Sequence, residues 1–406
     1  MHRSRRILLS LSIFTNLSIL FFFKYWALFS SSINSLTSHY VSIPEIPHLN
    51  LLLPVGVSFY TFQSMSYSID VYKGKRKAEK HLGIFALYIC FFPQLIAGPI
   101  EKSSNLIPQF YKKVKINYNS ILEGLKRIVW GLFKKIVIAD RLSIYVDAVF
   151  NNIDNHNSPT LLLATIFFSF QIYCDFSGYC DIAIGSAKIL GFNLMENFKR
   201  PYFSTSVKVF WSRWHISLSS WFRDYIYIPL GGNRTSTNKS FFNIFIVFLV
   251  SGLWHGSNWT FVFWGAIHGF YLIVGKLKNK ILKHFNINSN SKTFLQKATS
   301  ILTTFTLTTF AWIFFRVDSI SDSFLVIKKI IFFKGDLFIG NKPSFAYSLI
   351  AISILFIIEL RQETSSSFKN IRINNYIFTV SFYCFLLLMI ILIGSFDGGQ
   401  FIYFQF

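Results

Sequence analysis

Two histidines, His255 and His268, stand in the stretch 251–269, SGLWHGSNWTFVFWGAIHG, which is apolar and carries Trp254, Trp259 and Trp264. A titratable imidazole in such surroundings costs desolvation energy unless it has hydrogen-bond partners or a task. Taken alone, each is ordinarily a satisfied interior imidazole. Two neighbours set His255 apart: Gly256 leaves room for a substrate, and the tryptophans exclude water. A water-poor site favours the uncharged imidazole that a general base needs, so His255 is the candidate catalytic base.

On one straight helix His255 and His268 would lie about 20 Å apart on nearly opposite faces, which excludes a direct pair. Asn258 and Trp259, three and four positions after His255, would share its face and are placed to orient it or to wall its pocket. A serine acyl-enzyme is less well supported, because Ser251 and Ser257 lie in no recognisable nucleophile turn. A third histidine, His215, comes from another segment and meets His255 only through the fold.

A second chemical run, SFQIYCDFSGYCDIAIGSAKILG, places Asp175 and Asp181 inside a membrane-length apolar segment. Two readings are open. Intramembrane carboxylates face a protein interior or a watery pathway; alternatively each bonds backbone or Tyr groups across a helix interface that Gly178 and Gly185 allow to close. Cys174 and Cys180 flank them without a nearby His or a zinc spacing, so they read as packing residues. No bound metal or redox cofactor is indicated.

Composition determines what carries these residues. The 406-residue chain is 52% hydrophobic, 19% aromatic and 14% charged, with a mean hydropathy of +0.44. That is too apolar for an ordinary soluble protein and fits an all-α polytopic membrane protein, since backbone in lipid must satisfy its own hydrogen bonds. The balance of 40 Lys+Arg against 18 Asp+Glu gives +22. Nucleic acid is set aside as a partner, because the basic residues gather in short clusters between apolar runs, at 73–80, 112–115 and 276–283. That is the positive-inside pattern, with anionic headgroups of the bilayer as the partner.

The apolar run 7–29 is too long for a signal-peptide core and holds Lys24 where it can snorkel, so it reads as a first membrane helix with a cytoplasmic N-terminus. Segment 51–72 contains Pro54 and Gly56 early and reads as a kinked or buried helix; 82–100 closes on Ala97, Gly98 and Pro99, a breaker that turns the chain back. The mixed pattern of 118–150 predicts an amphipathic, interfacial helix. In 201–232, Ser204, Thr205 and Ser206 are N-cap candidates, and Pro229, Gly231 and Gly232 form the stop. Between them an aromatic stripe of Trp211, Trp214, Trp221 and Tyr225 runs beside His215. Helices at 241–253 and 259–274 flank the opening motif, with 252–258 either a break or a continuous turn. Three more apolar segments follow, near 299–315, 344–360 and 376–393. The expectation is eight to ten membrane helices in a single domain, 1–406, without an internal repeat or a separate soluble domain.

The segments PVGVSFYTFQSMSYSIDVYKG, FFPQLIAGPIEK, QIYCDFSGYCDIAIG, PYFSTSVKVFWSRWHISLSSWFRDYIYIPLGG, GLWHGSNWTFVFWGAIHG and FIYFQF resemble the membrane-bound O-acyltransferase (MBOAT) family. The bacterial alginate O-acetylation subgroup is the nearest in pattern, with similarity also to the D-alanine transferase of teichoic acid modification. The resemblance implies helices packed around a central funnel or tunnel, with His255 the catalytic histidine at its floor and His215 the second histidine near it. His268 and Trp254 take supporting, tunnel-lining roles, as Asn258, Asp175 and Asp181 would. It also implies a multi-pass protein of the cytoplasmic (inner) membrane. The donor would be acetyl-CoA or another acyl thioester used on the cytoplasmic side. Outside, a partner protein would accept the acyl group or esterify the glycan. Relatives carry further membrane helices ahead of the segment resembling 5–29, so the domain is expected to lack them. Relatives more often have Phe and Ser where Cys174 and Cys180 stand. The readings from other classes are a transporter or channel with Asp175 and Asp181 as pathway residues, and a non-catalytic scaffold of a glycan export complex.

Overall fold

The computed structural model describes residues 2–38, 44–47, 49, 51, 54, 56–95, 98–115, 117–285, 293–332, 334–364, 376–396 and 401–402. These residues form helices and connecting turns, with no strand among them. In chain order the main helices are α1 (Arg3–Thr37), α2 (Val57–Tyr72), α3 (Leu82–Cys90), α4 (Tyr118–Leu132), α5 (Asp140–Phe150), α6 (Ser158–Ile189), α7 (Val207–Arg213), α8 (Ile216–Phe222), α9 (Thr237–His255), α10 (Trp259–His284), α11 (Phe294–Arg316), α12 (Ile320–Ile331), α13 (Lys342–Thr364) and α14 (Tyr376–Ile393). Six of them are long and apolar enough to cross a membrane: α1, α6, α9, α10, α11 and α13; α14 is a shorter apolar helix. The segment expected over 51–72 becomes helical at Val57, and the breaker residue Ala97 lies outside the described residues, as do the last four residues of FIYFQF.

The fold is organised around α6. It is apolar on all sides, and most of its surface is inside the protein, the condition for a central helix. α4 runs antiparallel along it through two glycine pairs. A Cβ on Gly131 would come 2.6 Å from the Gly178 carbonyl, and one on Gly124 would come 2.7 Å from the Gly185 carbonyl. Only glycine lets two helices approach so closely. The approach sets the charged face of α4 against the carboxylates of α6. A wide helical turn at Phe133–Ala139 continues α4 into α5 and buries Phe133, Val137 and Ile138 with Lys134.

α9 and α10 form a second close pair, an antiparallel hairpin. A Cβ on Gly252 would come 2.2 Å from the Phe261 carbonyl, and one on Gly265 would come 2.2 Å from that of Phe248. The open choice at 252–258 resolves as a break. α9 stops at His255, Gly256 is extended at φ −158°, and Asn258 caps α10 by accepting from the Thr260 N–H at 3.1 Å.

Candidate active site

The hairpin replaces the straight-helix geometry expected for His255 and His268. The two histidines stand on antiparallel helices with the Trp264 indole between them, 5.0 Å from the His255 ring centre and 4.9 Å from that of His268. His255 is buried, walled by Trp254 at 5.0 Å, Trp264, and Phe315 at 5.4 Å. Gly256 does not leave room beside it: a Cβ there would meet the Phe261 ring at 2.1 Å. Trp259 is exposed and donates to Ser32 Oγ at 3.3 Å, so it walls no pocket. Asn258 is likewise committed elsewhere, its Oδ1 to the Thr260 N–H and its Nδ2 to the Asp318 carbonyl at 2.6 Å.

The structure brings His215 to His255, with ring centres 6.4 Å apart and planes inclined at 61°. The single amphipathic helix expected over this region is broken to do so. Ser206 caps α7, and the chain leaves helical conformation at Trp214; His215 takes the left-handed conformation, φ 43° and ψ 55°, before α8 begins. A non-glycine residue there is strained, and such strain persists where surrounding contacts impose it. The contacts come from the neighbouring strip of chain: Lys199 N–H donates to the Arg213 carbonyl and Ile216 N–H to the Asn197 carbonyl, both at 2.9 Å. Glu363 on α13 pairs with Arg200 and Arg213 at 2.9 Å each, and Arg200 is the second left-handed residue. The aromatic stripe packs inward, Trp211, Trp214 and Trp221 all being buried. Pro229 lies at the stop, with Gly231 and Gly232 at positive φ.

Asn197 decides what His215 can do. Its Oδ1 accepts from Ser217 N–H at 3.1 Å and from Ser217 Oγ at 2.9 Å, and lies 3.2 Å from His215 Nδ1; its Nδ2 donates to Cys180 Sγ at 3.2 Å. A carboxamide oxygen only accepts, so His215 Nδ1 carries the proton and Nε2 keeps the lone pair. Burial pushes the His215 pKa down to about 3, so the ring is neutral across the physiological range. Nε2 has no hydrogen-bond partner among the described residues. His268 has the other tautomer: its Nδ1 accepts from the Trp211 indole at 3.2 Å.

Asp175 and Asp181 lie apart from this cluster in their bonding. Asp175 pairs with Lys135 at 2.6 Å and accepts from the Ile402 N–H at 2.7 Å. Asp181 pairs with Lys134 at 2.5 Å and with Arg127 at 2.7 Å, and Arg127 also holds Glu196. Both carboxylates thus join the helix interface through cations of α4 and the turn after it, partners that neither sequence reading named.

The sequence model of the membrane-bound O-acyltransferase family, MBOAT, matches residues 81–317, a span that contains His215, His255 and His268. The chain belongs to the membrane-bound O-acyltransferase family. It is 39% identical to a probable alginate O-acetylase AlgI of Pseudomonas putida over 77% of this chain and 62% of the relative. It is 36% identical to a peptidoglycan O-acetyltransferase of Helicobacter pylori over 82% of this chain and 66% of that one. A teichoic acid D-alanyltransferase of Bacillus subtilis is 30% identical over 59% of this chain and 63% of its own. The chain therefore spans less than two thirds of the length of these relatives.

In this MBOAT chain a pocket of about 200 Å³ lies beside the histidine cluster, which it meets through Trp211, the hydrogen-bond partner of His268. Exposed Lys208 and Arg223 line it together with apolar Leu218, Phe222 and Val247 and buried Ser251 and Trp211. Ser251 is one helical turn before His255, and Trp211 is the residue that holds His268. Around His255 the indole N–H groups of Trp254 and Trp264 have no acceptor among the described residues, although both rings are buried. Three features escaped sequence reasoning: Asn197, whose only signal is its place in the ENFKRPY run; the basic residues lining the pocket; and Lys24, which is buried rather than snorkelling.

Proposed function

We propose that this protein is an O-acyltransferase that moves a short acyl group, acetyl first, from a cytoplasmic thioester toward hydroxyls of a cell-envelope polysaccharide. One observation carries it: two buried histidines have ring centres 6.4 Å apart, and Trp211, which donates to the third buried histidine, lines a pocket that also carries exposed Lys208 and Arg223. The names of the relatives each couple a small acyl group to a polymer, which supports the reaction class. Coenzyme A and phosphopantetheine thioesters bear phosphates, for which Lys208 and Arg223 are suitable partners, and a slender apolar thioester arm suits the walls between. The cluster at 276–283 lies at the Thr237 end of α9, where Lys276 donates to Asn233 and Ser240. By the positive-inside rule that end is cytoplasmic, in the inner membrane, and His255 lies toward the other side, where a partner protein would take the group onward.

In the chemical step His255 removes the proton of the acceptor hydroxyl as its oxygen attacks the thioester carbonyl. The tetrahedral intermediate collapses with cleavage of the C–S bond, and the imidazolium returns its proton to the thiolate. His215, with its lone pair on Nε2, orients an N–H or O–H donor; the tautomer that Asn197 imposes leaves it no proton with which to polarise a carbonyl. Buried indole N–H groups of Trp254 and Trp264 are the donors available for the oxyanion. The test is His255→Ala in cells, read as alkali-labile acetate on envelope polysaccharide. The expected loss is about 10²- to 10⁴-fold, and unchanged ester at a normal protein level overturns the assignment.

A further inference from the structure

Lys24 is the one charged residue between positions 7 and 37, in a helix otherwise built for lipid. It lies in a widened turn of α1, Phe21–Tyr25, and is only 8% exposed. No carboxylate pairs with it among the described residues, in contrast to Lys134 and Lys135, which each have an Asp. Its ammonium instead donates to the Trp254 carbonyl at 2.8 Å and the His255 carbonyl at 3.0 Å. The next residue, Tyr25, donates its hydroxyl to the Leu253 carbonyl at 2.9 Å. Two consecutive side chains of α1 thus take three consecutive carbonyls at the end of α9.

Those carbonyls need partners for a specific reason. α9 stops at His255 because Gly256 is extended, so the last carbonyls have no following N–H to receive them. In a lipid-facing protein an unfilled carbonyl is costly, and the negative end of a helix is a favourable seat for a cation without an anion. The widened turn brings both donors to that end at once, and widened turns of this kind recur at functional sites.

We propose that Lys24 is a positioning residue for His255: with Tyr25 it locks the last turn of α9 and so fixes where the imidazole sits. The proposal rests on the assignment of His255 as the base. The ammonium acts through the backbone of the residue that does the chemistry, not through the substrate. A displaced last turn misplaces the base against the acceptor hydroxyl while leaving the thioester pocket, lined by α7, α8 and earlier turns of α9, as it was.

The test compares the full chain with Lys24→Met, which keeps length and loses the donors, and Lys24→Arg, which restores them, alongside His255→Ala. Hydrogen–deuterium exchange over residues 251–258 and steady-state transfer from acetyl-CoA are measured in membranes with matched protein levels. In Lys24→Met, exchange over 251–258 speeds at least tenfold and kcat falls about 100-fold, the cost of misplacing a reacting group by about 1 Å. KM for the thioester stays within twofold, and Lys24→Arg recovers most of kcat. If Lys24→Met fails to reach the membrane, Tyr25→Phe, which removes the donor to the Leu253 carbonyl, is read the same way. Unchanged exchange, unchanged kcat, a rise in KM alone, or no recovery in Lys24→Arg overturns the proposal. Transfer that survives His255→Ala removes the base assignment, and faster exchange in Lys24→Met would then be a clamp without this purpose.

Discussion

Two regions of this molecule bury ionisable groups, and they treat them in opposite ways. Along α4 and α6 every buried charge described has a counter-charge: Asp175 with Lys135, Asp181 with Lys134 and Arg127. Around α9 and α10 three histidines are buried, and His215 Nε2, His268 Nε2 and two indole N–H groups have no protein partner among the described residues. Backbone strain follows the same division, falling on His215 and on Arg200 in the loop that holds it. Burial of an ionisable group is therefore not what marks a site. Hydrogen-bonding capacity left open, in a place that costs strain to build, separates the histidine cluster from the ion-paired interface.

The sharpest way to break this contrast is to damage each region and ask what is lost. Asp181→Leu strands Lys134 in the interface and leaves Arg127 only Glu196, a loss of about 3–5 kcal/mol of stability. The expected outcome is a steep fall in protein extracted from membranes, with transfer per mole of remaining protein retained. Adding Lys134→Met to Asp181→Leu, which removes a stranded cation, should recover part of the protein level. A transfer rate per mole that collapses with Asp181→Leu would instead place the carboxylate in the chemistry, or in a pathway.

Asn197→Leu is the matching experiment in the histidine cluster. It frees His215 to take either tautomer and removes the acceptor that holds its ring, so kcat should fall about 100-fold with protein retained. Asn197→Asp keeps the acceptor and should recover much of the rate. Equal damage from both changes would show that Asn197 serves only to pack against Cys180. The neutral His215 gives a milder signature. Its folded pKa, about 3, lies below the ordinary value, so the unfolded chain takes up a proton that the folded chain refuses. Stability is present in full above pH about 6.5 and declines as pH falls toward 3; thermal unfolding across that range should show a decline that His215→Phe lessens.

What could be read in the sequence follows the range of the interactions involved. The helical class, the membrane setting and the pairing role of Gly178 and Gly185 were open to inspection, because periodicity and small residues carry them; the nearness of His215 to His255 was implied only by the family resemblance. Asn197, Lys24 and the partners of the two Asp residues were not. Lys24 meets His255 across 231 positions and Asn197 meets His215 across 18, and nothing local distinguishes a lysine that snorkels from one that caps a distant helix. The errors at Asn258 and Trp259 have the opposite origin. Both were assigned by continuing one helix past His255, and a break of three residues changes which face each presents.

That break supplies the smallest and most discriminating change. Asn258→Ala removes the cap of α10 and its bond to the Asp318 carbonyl, at a cost of about 1 kcal/mol. If Asn258 oriented the base, kcat would fall as far as in Asn197→Leu. Because its amide is committed to the turn, the expected result is a slightly lower unfolding temperature with transfer per mole within twofold of the parent chain. The two asparagines then differ in kind: one sets the proton on a histidine, the other only starts the next helix.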